Sequence, residues 1–346
     1  MERRHLTEYI SSAQNPKVKH LLALQEKSRL RRSEGLFVVE GLREVRHALE
    51  AGFEADSLFI CPEIFEAAPA EDRDAIRAAV NPPGCGLETA VNRAGDRFAD
   101  GNRAGMGMAV RILEVPAALY GRIALRGSTE GVVGIFHTPS NRPEDLSLPE
   151  NALVVVLENI EKPGNIGAVL RSADGAGADA LIVCHSSARP AEDPHSPRTD
   201  EEPSRTDEES SRTDGKGGKT GTGCCIDLYN PNIIRSSLGA VFTVPVAVCE
   251  SAEAIAFLKA RGIRILTAQL QDSKPYYDVN MTGATALVIG SEADGLSEAW
   301  REAADRHILI PMDGRMDSLN ASVSAAVLLY EARRQRGAKT TGRQVL

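Results

Sequence analysis

From residue 152 onward, short aliphatic runs alternate with helical stripes, and few folds satisfy that alternation. Residues 152–157 (ALVVVL) are apolar at every position, which suits a strand covered on both faces. A helical stripe follows at 166–173, then a strand at 180–184, a helix at 252–260, strands at 263–268 and 286–289, a helix at 296–303, a strand at 307–310 and a helix at 321–334. Strands separated by helices in this way build a parallel sheet with helices packed on both sides, an α/β fold. Such sheets bind ligands beyond the carboxyl ends of their strands, so the loops after those strands are where function is to be sought.

One segment breaks the alternation. Residues 186–223 carry a seven-residue repeat (RTDEEPS, RTDEESS, RTDG) starting at Arg198, Arg205 and Arg212, and their only aliphatic side chains are Ala188 and Ala191. A heptad period with no apolar a or d position buries no seam, so the segment reads as a disordered insertion and not as a coiled coil. It ends in GKGGKTGTG, but a phosphate-binding loop closing on Gly218-Lys219-Thr220 needs glycine where Thr213 stands, and no strand leads into it.

A length of 346 residues suits two compact units. In the upstream part Val18, Leu21, Leu22 and Leu24 share a helical stripe, and residues 36–39, 58–60 and 131–136 read as short strands. Residues 69–86 and 94–107 are rich in Ala, Gly and Pro and take no assignment. The stretch 138–151 (TPSNRPEDLSLPEN) holds three prolines and no apolar run, a linker composition. The expected organisation is a first domain over 8–137, a linker over 138–151, and a second domain over 152–338 that contains the insertion.

Apolar residues make up 42% of the chain, which excludes disorder throughout, and no run approaches the roughly 20 apolar residues of a membrane helix. The N-terminal MERRHLTEYI has no apolar segment of the kind that directs export, so a cytoplasmic protein is expected. Six scattered cysteines form no C-x-x-C pair and suggest neither a zinc site nor a disulfide framework. The net charge of −8 argues against a polyanionic partner, yet residues 15–32 contain Lys17, Lys19, Lys27, Arg29, Arg31 and Arg32 against Glu26 alone. That run fits either a phosphate-backbone contact or a solvated helix face.

Three loops after second-half strands pair glycine with polar side chains. In the first, Pro163-Gly164-Asn165 opens a helix whose Ile166, Val169, Leu170 and Ala173 form a buried stripe. Asn165 stands where an N-cap would, and Arg171, beside the stripe, is either a surface ion-pair partner or a ligand contact. The second, VIGSEADGLS, places Glu292 between Gly290 and Gly295, which permit tight turns. In the third, residues 311–317 bend towards a long apolar helix that Ser318 or Asn320 could cap. Each feature taken singly has a structural explanation; their joint occurrence in this order does not.

Taken together, PGNIGAVLRSA, VIGSEADGLS and IPMDGRMDSLNASVSAAVLLYEA resemble the three signature motifs of the TrmH-type (SpoU) RNA ribose 2′-O-methyltransferases of the SPOUT class. DLYNPNIIRSSLGAVFTVPV looks like the stretch this family places between its first two motifs. SSAQNPKVKHLLALQEKSRLRRSEGLFVVEG is similar to its small N-terminal substrate-binding domain. The resemblance implies a C-terminal SPOUT domain with an α/β knot, preceded by a smaller α/β RNA-binding domain. It implies S-adenosylmethionine as methyl donor and no metal. By the motif positions, Asn165, Arg171, Glu292, Ser318 and Asn320 become the catalytic set, and Ala268, Gly290, Ile310, Met312, Ser318 and Leu319 the cofactor contacts. It also implies RNA as partner, ribosomal RNA favoured over tRNA, and a homodimer; Val323, Val327, Leu328 and Tyr330 of the last helix are a candidate contact for it, and a helix that only covers the sheet fits the same pattern. The family commonly has Asn at the position of Ser291 and Gly at that of Ala293, so the second loop departs from the pattern.

These residue types suit methyl transfer to a sugar alcohol. A ribose hydroxyl is a poor nucleophile until it is aligned and its proton is held or removed, so positioning is most of the task. Arg171 can grip a phosphate but is too basic to take a proton, which leaves the proton acceptor unassigned. One rival is an RNA-binding protein of the same fold without catalysis. Another, a nucleotide-linked dehydrogenase, lacks the G-x-G-x-x-G that its first loop requires.

Overall fold

The computed structural model describes residues 7–80, 110–125, 130–160, 162–186, 226–315 and 318–337, so the heptad repeat lies outside the described residues, as does the stretch 81–109. The chain opens with β1 (Thr7–Tyr9), α1 (Pro16–Glu26), α2 (Ser28–Glu34), β2 (Leu36–Glu40), α3 (Leu42–Glu50) and β3 (Ala55–Ile60). It continues with α4 (Pro62–Phe65), α5 (Ala70–Val80), β4 (Arg111–Glu114), α6 (Ala117–Ile123) and β5 (Val132–His137). Asn15 starts α1 by accepting the Lys17 N–H at 2.9 Å, with Pro16 in the first helical position, where its missing N–H costs nothing. Val18, Leu21 and Leu24 are buried as the stripe requires, while Leu22 is only half-buried. The five strands are ordered β1-β4-β3-β5-β2, with β5 antiparallel to both neighbours.

The second unit runs through β6 (Leu153–Glu158), α7 (Pro163–Ala176), β7 (Ala180–His185), α8 (Pro231–Ser237), α9 (Ala240–Thr243), β8 (Val246–Glu250) and α10 (Ser251–Ala260). It is completed by β9 (Arg264–Ala268), β10 (Lys274–Pro275), β11 (Thr285–Ile289), α11 (Glu298–Ala303), β12 (Arg306–Leu309) and α12 (Ala321–Gln335). All seven strands are parallel, in the order β10-β12-β9-β11-β6-β7-β8. Along β6, Leu153, Val155 and Leu157 pack on the side of α7 and α12, and Val154 and Val156 on the side of Leu258 and Trp300. Burial on both faces is why that strand is apolar at every position. The chain enters β11 between β6 and β9, two strands already in place, and α12 then returns to pack on α7. This order sets the carboxyl ends of β6, β11, β9 and β12 side by side.

The two units share one continuous core. Phe37 of β2 stacks on Tyr229 at 4.3 Å between ring centroids, and Phe53 meets Phe242 edge-on at 5.1 Å. Burial raises the Tyr229 phenol far above its usual pKa, so it stays protonated, and it is hydrogen-bonded to Asn141 at 3.1 Å. Arg31, 4% exposed, pairs with Asp227 from the second unit and also donates to the Leu24 and Gln25 carbonyls. The basic run therefore serves more than one purpose: Arg31 is an internal strut and Lys17 pairs with Glu8, while Lys19, Lys27 and Arg29 stay exposed. Residues 138–151, whose composition reads as a linker, are not a free tether. Asn141 accepts the Val248 N–H at 2.7 Å along the β8 edge, and Leu146 is buried in the core beneath α10. Asp227→Ala leaves a buried guanidinium without its carboxylate, and equilibrium denaturation is expected to show a loss of about 3 kcal/mol.

Candidate active site

Pro163 starts α7, and its fixed φ places Asn165 inside the first turn. The N-cap is Lys162, so the capping role the sequence suggests for Asn165 does not hold, and its side chain is free to face the neighbouring loops. Gly167, one turn on, lets α8 approach closely: a Cβ there would lie 2.7 Å from the Ser236 Cβ.

After β11 the chain turns back sharply. Gly295 takes φ +68°, its N–H donates to the Ser291 carbonyl at 3.1 Å, and the Asp294 N–H donates to Ser291 Oγ at 3.0 Å. Gly290 sits under this turn, where an added Cβ would collide with the Gly295 carbonyl group and come within 2.7 Å of the Leu296 nitrogen. The turn presents Glu292 outward. The loop after β12 ends at Asn320, which caps α12: its Oδ1 accepts from Ser322 N at 3.0 Å and from Ser322 Oγ at 2.6 Å. With Oδ1 committed to the cap, the amide nitrogen must point the other way.

It points at the other two loops. Asn320 Nδ2 donates to Glu292 Oε1 at 3.2 Å and to Asn165 Oδ1 at 3.3 Å, and Asn165 Nδ2 donates to the same Glu292 Oε1 at 2.6 Å. Asn165, Glu292 and Asn320 thus meet in one hydrogen-bonded junction. Ser318 lies two residues before Asn320 and makes no cap bond. Arg171 does not join the junction: it is exposed on α7 and, among the described residues, makes no hydrogen bond or ion pair.

Beside the junction is a cavity of about 350 Å³. Its lining includes Glu292 and all six positions expected to contact the cofactor: Ala268, Gly290, Ile310, Met312, Ser318 and Leu319. Ile289, Leu296, Ile308 and Leu328 add apolar walls suited to a flat heterocycle. Among the lining residues outside the motif pattern are Gln269 just after β9 and Arg301 on α11. Gln269 Oε1 and Arg301 Nε are buried without a hydrogen-bond partner among the described residues, an arrangement that a polar ligand satisfies. The signal for Gln269 was present in the sequence, since it directly follows a strand whose carboxyl end had to border the site; nothing local marked Arg301.

A parallel sheet with this junction and cavity at its carboxyl edge defines the architecture of a SPOUT-class RNA methyltransferase. The SpoU rRNA methylase family model matches residues 152–202 and 220–330, skipping part of the insertion, and the MRM3-like substrate binding domain model matches 15–134. The chain is 30% identical over 232 residues to a 23S rRNA (guanosine-2′-O-)-methyltransferase RlmB of Neisseria meningitidis, covering 66% of this chain and 78% of that one. It is 31% identical over 211 residues to the 23S rRNA (uridine(2479)-2′-O)-methyltransferase of Streptomyces viridochromogenes, covering 59% of this chain and 60% of its relative. The structure of an AdoMet-bound rRNA methyltransferase from Sinorhizobium meliloti superimposes with a TM-score of 0.67 at 25% identity, over 95% of this chain and 98% of that one. The protein belongs to the SpoU rRNA methylase family. Gly290→Ala is expected to force the Gly295 turn outward, cost about 1–3 kcal/mol of stability and abolish ligand uptake by the cavity, as read by thermal shift and calorimetric titration with S-adenosylmethionine.

Proposed function

We propose that the protein methylates a ribose 2′-hydroxyl of ribosomal RNA, using S-adenosylmethionine held in the cavity beside the Asn165–Glu292–Asn320 junction. The observation that carries this reading is the meeting of those three side chains, from three distant loops, at the edge of a cavity of suitable size. The cofactor, when bound, supplies an electrophilic methyl group on a positively charged sulfur. The chain's own residues then have to bring a hydroxyl in line with that methyl and keep it there. Gly290, Ile310, Met312 and Leu319 hold the donor through backbone groups and apolar contact, and Ala268 and Ser318 border it. Glu292 spends Oε1 on the two asparagines and has Oε2 left to orient a hydroxyl. Arg171, a guanidinium with no hydrogen-bond or ion-pair partner among the described residues, grips the phosphate next to the target ribose.

Ribosomal RNA is the favoured substrate because the aligned relatives named above act on 23S rRNA and because the N-terminal unit matches a substrate-binding model. Lys19, Lys27 and Arg29 are its exposed cations for the RNA backbone. Among the described residues no helix is long and apolar enough to cross a membrane, and the reading places the protein in the cytoplasm with its substrate. It also includes a homodimer. Val323 and Tyr330 of α12 are exposed and available for that contact, whereas Leu328 is buried against the sheet and is withdrawn from it. Light scattering gives the mass directly.

The deciding measurement incubates the protein with ribosomal RNA and labelled S-adenosylmethionine and maps alkali-resistant ribose positions. Site-specific 2′-O-methylation is expected. Arg171→Ala should lower the rate at least 100-fold while S-adenosylmethionine affinity stays within twofold, since positioning groups are worth rate and not donor binding. An undiminished rate removes Arg171 from the mechanism, and failure of the wild type to bind the donor removes the reading altogether.

A further inference from the structure

The last residue of β6, Glu158, is completely buried, and nothing in the motif pattern assigns it a role. Its carboxylate accepts three hydrogen bonds: Ser251 Oγ at 2.6 Å and Ser297 Oγ at 2.7 Å to Oε1, and the Ser297 N–H at 2.7 Å to Oε2. Ser251 is the first residue of α10. Ser297 is the N-cap of α11, makes no capping bond of its own, and immediately follows Gly295 and Leu296, which wall the cavity. A carboxylate at a helix N-terminus is favourably placed, and removal of such a group from a buried site leaves its donors unpaired.

We propose that Glu158 is a positioning residue for the cofactor cavity, holding the Gly290–Leu296 turn in its binding shape through Ser297. The proposal rests on the cavity being the S-adenosylmethionine site. The mechanical link is short. The turn has no slack, because Gly290 is already packed against the Gly295 carbonyl and the Leu296 nitrogen, so a shift of Ser297 moves the cavity wall itself. On its far side α11 is anchored by Trp300, which is fully buried and is the single tryptophan of the chain. Glu158 therefore joins the end of the strand that leads into the first motif to the loop that forms the second.

Trp300, three residues beyond Ser297, reports the position of α11 without any label. The experiment compares wild type, Glu158→Gln, Ser297→Ala, the double variant and Ile182→Val, a packing control in the same core. Each is measured by calorimetric titration with S-adenosylmethionine, by Trp300 emission and acrylamide quenching without ligand, and by thermal unfolding. Glu158→Gln and Ser297→Ala should each weaken binding about tenfold, and the double variant should lose less than the two single losses combined, because both act on the one Glu158–Ser297 link. Both should shift Trp300 emission and raise its quenching, and Ile182→Val should change neither despite a comparable loss of stability. Wild-type affinity in both single variants, additive losses in the double variant, or an equal loss in Ile182→Val would overturn the proposal. If the wild type binds no S-adenosylmethionine, the cofactor reading falls instead, and unchanged Trp300 emission in Glu158→Gln would then independently overturn the link between Glu158 and α11.

Discussion

Three loops, the first of them 127 residues from the second and the second 28 from the third, are tied together by one carboxylate oxygen, Glu292 Oε1, which takes an N–H from Asn165 and another from Asn320. Hydrogen bonds this exposed are individually weak and cannot be what assembles the site. They form because the sheet has already brought the loops together. β11 enters between β6 and β9, so the loop after β11 rises next to the loop after β6, and α12, returning to α7, brings Asn320 to the same place. The two asparagine amides are oriented before they meet the carboxylate: Asn320 by its cap on α12, and Asn165 by the proline two residues earlier that starts its helix. Sheet order supplies proximity, helix ends supply direction, and the junction registers both.

The same logic governs how the two units are joined. Phe37 and Phe53 of the first unit and Tyr229 and Phe242 of the second form one aromatic cluster, closed at its edge by Arg31 and Asp227. An interface that is part of a common core does not hinge freely, in contrast to domains joined by a small polar contact. The segment between the units adds to this by packing along β8. An RNA bound to the first unit, as proposed, would consequently be presented to the cavity at a distance fixed by packing and not by chain length.

Much of this was legible in the sequence, for reasons that differ by element. Strands β6, β7 and β11 show as nearly continuous apolar runs because both their faces are buried. The short edge strands β1 and β10 and the half-buried β8 carry no such mark, being only partly covered. Helix α5 was hidden in a stretch whose alanines suit helix and turn alike. The ordered motifs marked Asn165, Glu292 and Asn320, which the fold brings to one junction, but pattern alone misplaced Asn165 as a cap, since the helix starts at Pro163. Arg31 looked like one cation in a solvated run, and only a contact with a residue 196 positions away turns it into a strut. Gln269 was marked only by its place directly after a strand, and Glu158 and Arg301 were silent because their roles come from neighbours brought in by the fold.

The departures in the second motif bear on whether this member of the family retains a working site. Asparagine at 291 would hold the turn by offering a side-chain acceptor to the backbone three residues on; Ser291 does this here, taking the Asp294 N–H on Oγ at 3.0 Å. Glycine at 293 would be required only if that residue needed a positive φ. The described non-glycine residues with positive φ are Asn159, Leu238 and Asp272, so Ala293 carries no such strain. The position that does need it, 295, keeps glycine, and so does 290, where a side chain would strike the turn. The substitutions thus fall where a serine or an alanine reproduces the backbone, and the carboxylate between them still reaches both asparagines. A catalytically dead member of the fold would be expected to lose one of those constraints first, because nothing in the packing of the sheet depends on an exposed glutamate being met by two amides.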